Sequence, residues 1–160
     1  PPFTRSQGYG YTPHFTPRAA YAAMITRMDR YVGNVVNLIE KLNLTNDTIV
    51  IFSSDNGTTH LKLEVDYDFF DSVGELRGLK GSLYEGGIRV PLLVKWPGKV
   101  KAGSISDKMI GFEDWMVTLH NLIDAKDPLT ANHDGHDQAD HLLGNCQLSR
   151  PPLYREFSGY

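Results

Sequence analysis

The sequence predicts an α/β fold, and three observations carry that prediction. Apolar residues recur at helical spacing over residues 17 to 43. Two short apolar runs of strand character follow, at residues 48–54 and 88–96. A second helical pattern comes after them, from Phe112 to Ile123. Helix, strand, strand, helix is the order of an α/β layering. A chain of 160 residues is long enough for one modest domain with a core.

Each element has a local reason. Residues 1 to 16 are rich in Pro, Gly, Ser and Thr and read as an extended lead-in. Thr16 before Pro17 has the form of a helix N-cap with proline in the first turn. Tyr21, Met24, Ile25, Met28, Val32, Val35, Val36, Ile39 and Leu42 then mark one face of a long amphipathic helix. "LTNDT" is the turn after it. "TIVIFSS" is an unbroken apolar run, as in a strand covered on both faces. A polar loop is expected from there to about residue 88. "IRVPLLVKW" is the second strand, with Pro91 predicting an irregularity near its start. Phe112, Trp115, Met116, Leu119, Leu122 and Ile123 define the second helix. Residues 125 to 152 are polar, and "PLYREF" is read as a last short strand.

Composition narrows the partners. Hydrophobic residues are 41% and charged residues 22%, an ordinary globular balance. A net charge of -3 gives no electrostatic reason for a nucleic-acid or membrane partner. No apolar run reaches the length of a membrane span. The opening "PPFTRSQGYG" is polar, so no signal peptide is expected. Cys146 is the single cysteine, which excludes an intrachain disulfide.

The chemistry gathers at two places. The first strand runs directly into Asp55, Asn56 and Gly57. In open α/β sheets, ligands sit beyond the carboxyl ends of the strands. Asp55 offers a charged oxygen and Asn56 a neutral one, donors that suit a hard cation such as Ca2+ or Mg2+. The same three residues also make an ordinary turn. The second place is "LRGLKGSLYEGGIRVPLLVKWPGKV", residues 76–100, where Arg77, Lys80 and Arg89 stand among five glycines. Glycine lets backbone approach a ligand, and a fixed ammonium suits an oxyanion. Glu85 is placed to pair with Arg77 or Arg89, so these three read as braces, and Gly86-Gly87 as a bulge. Lys80 is the residue expected to reach substrate.

These segments, "YAAMITRMDRYVGNVVNLIEKLNLTNDTIVIFSSDNG" and "GELRGLKGSLYEGGIRVPLLVKWPGKVKAGSISD", resemble the C-terminal half of a sulfatase catalytic domain, of the arylsulfatase-like kind in the alkaline phosphatase superfamily. The resemblance covers residues 17 to 125, and the tail "RPPLYREF" resembles a later strand of that family. It implies a partial sulfatase fold, a mixed sheet flanked by helices. Residues 1–125 would be part of the catalytic domain, and 126–160 a linker and the start of a C-terminal subdomain. It also implies that Asp55 and Asn56 ligate calcium and that Lys80 contacts the sulfate group. His60 would be a further substrate contact, beside its reading as an exposed loop histidine.

The resemblance also says what to look for elsewhere. The family's other metal ligands are an Asp-Asp pair, which this sequence lacks. Its formylglycine comes from a Cys-x-Pro-x-Arg motif, expected in an N-terminal half that precedes this chain. "CQLSR", residues 146–150, has Leu148 where that motif has proline and lies at the opposite end, so Cys146 reads as a linker thiol. His133, His136, Asp137 and His141 have spacing seen in zinc sites, but the segment reads as a solvated loop. His14 does not match the family's catalytic histidine, and His120 reads as structural. Ser53 and Ser54 have no visible base.

Three functions remain open on these grounds. The first is a sulfuric ester hydrolase acting on a sulfated small molecule or glycan, periplasmic, secreted or lysosomal as the resemblance implies. The second is a phosphodiesterase or phosphonate hydrolase of the same superfamily. The third is a non-catalytic binding domain. The chain by itself is expected to lack the nucleophile and therefore to be inactive.

Overall fold

A computed structural model describes residues 14–60, 66–129, 132–145 and 150–157. The lead-in before His14 and most of "CQLSR", including Cys146, lie outside the described residues. The chain divides into two compact units, residues 1–94 with 155–160, and residues 95–154.

The first unit opens with α1, Pro17–Lys41. Pro17 stands in the first turn, where a missing N–H costs nothing. Thr16 does not cap with its hydroxyl. That hydroxyl and the Thr16 amide both face His14 Nδ1, at 3.2 and 3.0 Å, so only the Thr16 carbonyl serves the helix, accepting from Ala20 at 3.0 Å. At the other end Asn43 adopts φ +57°, and Leu44 N–H donates to the Ile39 carbonyl at 3.0 Å. This is the left-handed cap in which asparagine replaces glycine. Lys41 in the last turn complements the helix dipole.

A single 3-10 turn, Thr45–Asp47, leads to β1, Val50–Ser53, which pairs with β2, Leu92–Lys95. The result is an α/β arrangement with a small sheet flanked by helices. The expected burial does not follow. Every residue of β1 is half-buried rather than covered on both faces, and α1 buries none of its residues. Met24, Met28 and Val35 of its apolar face are 47%, 43% and 56% exposed. The periodicity is right, but the described residues cover that face only in part, with Tyr21, Val32, Val36 and Ile39 half-buried.

Among the described residues, the expected polar loop between the strands carries two one-turn helices, α2 (Tyr67–Phe70) and α3 (Glu85–Ile88). Asp66 explains α2. Its carboxylate accepts the Phe69 amide at 3.2 Å and holds Arg18 of α1 at 2.7 Å. The Arg18 guanidinium lies 3.8 Å over the Phe69 ring, and Tyr21 meets Phe70 at 4.9 Å. Gly86 and Gly87 are buried inside α3 and are not a bulge. β2 therefore starts later than the apolar run: Ile88 ends α3, and Pro91 sits just outside the strand with its carbonyl accepting Ser53 Oγ at 2.9 Å.

The second unit holds α4, Asp114–Leu122, and α5, Ala139–Leu142. "PLYREF" forms no strand, and Tyr154 is largely exposed. Residues 133–138 are not the loose loop that their polarity suggests. Asp114, fully buried, accepts the amides of Gly111 and His136, each at 2.8 Å. Thr118, also fully buried, accepts the Gln138 amide at 2.9 Å. Asp137 accepts from Asn121 at 2.5 Å and from the Ala139 amide at 2.8 Å. The side chains of His133, His136 and Asp137 still face solvent while the backbone is pinned to α4. Gly135 permits the approach, since a Cβ there would lie 2.1 Å from the Glu113 carbonyl oxygen. Gly135→Ala should therefore lower stability by about 1–3 kcal/mol, the usual cost of an overpacked site, read as a fall in the urea midpoint.

Candidate functional site

The residues at the end of β1 form a loop locked by its own polar groups. Ser54 Oγ donates to the Asn56 carbonyl at 2.9 Å, and Asn56 Nδ2 donates to the Gly57 carbonyl at 2.9 Å. The Gly57 amide donates to the Gly87 carbonyl at 2.9 Å. The Thr58 carbonyl accepts the Lys80 amide at 2.7 Å, and Thr58 Oγ1 reaches the Ser72 carbonyl at 3.3 Å. Two backbone bonds thus join the Asp55-Asn56-Gly57 loop to the glycine-rich block that carries Lys80.

Glycine is required because backbone packs on backbone here. A Cβ on Gly57 would lie 1.9 Å from the Gly86 oxygen. One on Gly86 would lie 2.1 Å from the Gly78 oxygen. Gly78 and Gly81 adopt φ +88° and +86°, left-handed turns on either side of Lys80. The Gly86 amide closes the block by donating to the Arg77 carbonyl at 2.8 Å.

Within this frame Asp55 and Lys80 are exposed and Asn56 is half-buried. The nitrogen end of the Asn56 amide is committed to Gly57, which leaves its oxygen as the end able to meet a cation. A carboxylate and an amide oxygen are donors of the hard kind that calcium takes. Among the described residues, no group of three or more His, Cys, Asp or Glu is gathered closely enough to hold a metal. His60 is exposed at the far end of the loop.

The neighbouring charges are arranged as supports. The Arg77 guanidinium lies 3.7 Å over the Tyr84 ring. Arg89 pairs with Glu85 at 3.5 Å, one turn apart and exposed. The two serines at the strand end use their hydroxyls as donors to the Pro91 and Asn56 carbonyls. His120 Nε2 donates to the Asp127 carbonyl at 2.6 Å, a structural role. His133 bonds the Gly135 carbonyl and His141 bonds Ser106 Oγ at 2.9 Å.

Sequence reasoning missed the buried ion pair of the second unit. Arg150 stands 3.3 Å from Asp114 and 3.5 Å from Glu113, with its side chain 5% exposed. The available signal was an aspartate opening an apolar helix. Nothing local links it to an arginine thirty-six residues on. Ser54 was also missed as a loop lock.

A family model described as Sulfatase matches residues 1–125. Steryl-sulfatase of Rattus norvegicus is 37% identical over 131 residues, which are 81% of this chain and 23% of that protein. N-acetylgalactosamine-6-O-sulfatase of Bacteroides thetaiotaomicron is 32% identical over 143 residues, 83% of this chain and 27% of that protein. Among solved structures, the PsFucS1 sulfatase from Pseudoalteromonas sp. superposes with a TM-score of 0.65 at 28% identity, covering 91% of this chain and 30% of that one. Ps i-CgsB in complex with a neocarrahexaose gives 0.67 at 33% identity, covering 78% and 26%. The chain thus spans about a quarter of the length of the relatives it matches.

Proposed function

The chain belongs to the sulfatase family, and from that premise we propose that it supplies part of the active site of a sulfuric ester hydrolase. One observation carries the reading: two backbone hydrogen bonds, Gly57 to Gly87 and Lys80 to Thr58, hold the Asp55-Asn56 pair and Lys80 on one loop assembly. Oxygen ligands for a cation and an ammonium carried on one assembly suit a sulfate group.

In this reading Asp55 and Asn56 hold calcium through a carboxylate and an amide oxygen. The metal supplies charge neutralisation at the sulfate, in the manner of a Lewis acid. Lys80 offsets the negative charge that grows on the ester and sulfate oxygens as the bond to sulfur breaks. The flanking left-handed glycines fix the backbone from which its side chain extends. His60 is a further substrate contact at the loop edge. The formylglycine nucleophile and the remaining metal ligands come from residues outside this chain. The substrate is a sulfated glycan or a sulfated small molecule, in a periplasmic, secreted or lysosomal setting. The exposed apolar face of α1 is covered by other parts of a complete catalytic domain, since burying such a face is what stabilises a helix of this kind.

Metal binding tests the reading. Calcium takes about 6–8 oxygen ligands, so this chain alone should bind it weakly, and a polypeptide with the remaining ligands should bind it tightly. Calorimetry on both should show the tight site lost in Asp55→Ala. Tight binding by the 160-residue chain that survives Asp55→Ala would place the metal elsewhere.

A further inference from the structure

We infer that Asn56-Gly57 is a latent deamidation site, held unreactive by the bonds that lock its loop. The sequence contains one Asn-Gly pair, and this is it. In an unconstrained chain, Asn-Gly is the dipeptide most open to intramolecular attack, because glycine puts no side chain in the way. The Gly57 nitrogen attacks Asn56 Cγ, the Cγ–Nδ2 bond breaks, and ammonia leaves. The resulting succinimide takes up one water and opens to aspartate or isoaspartate. The nucleophile and the leaving group are both within the chain, and water is the only co-reactant.

The fold opposes each requirement of that reaction. Attack needs the Gly57 amide to lose its proton, and that N–H is donated to the Gly87 carbonyl at 2.9 Å. It needs the carboxamide free to turn onto the backbone nitrogen, and Nδ2 is tied to the Gly57 carbonyl at 2.9 Å. It needs the Asn56–Gly57 peptide to rotate, and the Asn56 carbonyl is held by Ser54 Oγ at 2.9 Å. Gly57 is in place for steric reasons, since any Cβ would strike the Gly86 oxygen. The fold therefore demands a chemically labile dipeptide at the place where the neighbouring Gly86-Gly87 backbone helps protect it. Reaction occurs when the latch opens, and it puts a new carboxylate beside Asp55.

The test is peptide mapping of the intact polypeptide during incubation in mildly alkaline buffer, folded and in denaturing urea. Asn56 should convert to aspartate and isoaspartate in urea and at least about tenfold more slowly when folded, because closed-state protection scales with the opening equilibrium. Equal rates in the two conditions, or conversion at another asparagine instead, would overturn the assignment. Ser54→Ala removes one lock and leaves the glycines alone. With its circular dichroism unchanged, it should deamidate several-fold faster than the wild type under folding conditions. An unchanged rate would overturn the role given to the lock. In a polypeptide that also carries the remaining ligands, saturating calcium separates this inference from the proposed function: failure to slow the reaction there counts against Asn56 as a metal ligand and leaves the latch standing.

Discussion

Replacing Lys80 by alanine in the complete enzyme should lower kcat by about a hundredfold or more, the usual cost of removing one electrostatic contact to the reacting group. The fold should survive. The bond that ties Lys80 into the loop is made by its amide to the Thr58 carbonyl, and alanine keeps that amide. The side chain is exposed and leaves no cavity when removed. Lys80→Arg should recover only part of the rate, because a planar guanidinium does not reproduce a compact ammonium. The neighbouring arginines provide the contrast. Arg89→Ala removes an exposed pair with Glu85, worth no more than about 1 kcal/mol. Arg77→Ala removes a stack on Tyr84 of about 0.5–2 kcal/mol. Both changes should show in thermal stability before they show in kcat. A fully active Lys80→Ala enzyme would remove Lys80 from the reaction.

The second large effect is on stability. Asp114→Ala should destabilise the protein by about 3–5 kcal/mol, the range for breaking a buried ion pair from one side. The carboxylate is fully buried and serves three partners at once: the Gly111 amide, the His136 amide and Arg150. Alanine leaves those amides without their acceptor and Arg150 with the more distant Glu113. Asp114→Asn should cost less than Asp114→Ala, because an amide oxygen still accepts one backbone bond. Urea unfolding of both variants measures the difference. A loss below about 1 kcal/mol for Asp114→Ala would show that the pair contributes no more than an exposed one.

The residues themselves determined much. The helical spacing from Tyr21 to Leu42 fixed α1, because amphipathic periodicity is local. The apolar runs placed β1 and β2, and the segments around "DNG" and "GLKGSLYEGG" carried the resemblance to the sulfatase family. Tertiary structure decided the rest. α3 formed where a bulge was expected, because Gly86 and Gly87 must be buried for Gly57 to pack on them. That contact spans some thirty residues, and no local propensity encodes it. The histidine-bearing loop looked solvated because its side chains are polar, yet its amides are consumed by Asp114 and Thr118 of α4. Polarity in sequence reports where side chains point and is silent about where backbone hydrogen bonds go. The apolar face of α1 was legible as a pattern, whereas its burial depends on what packs against it, which no periodicity within the helix specifies.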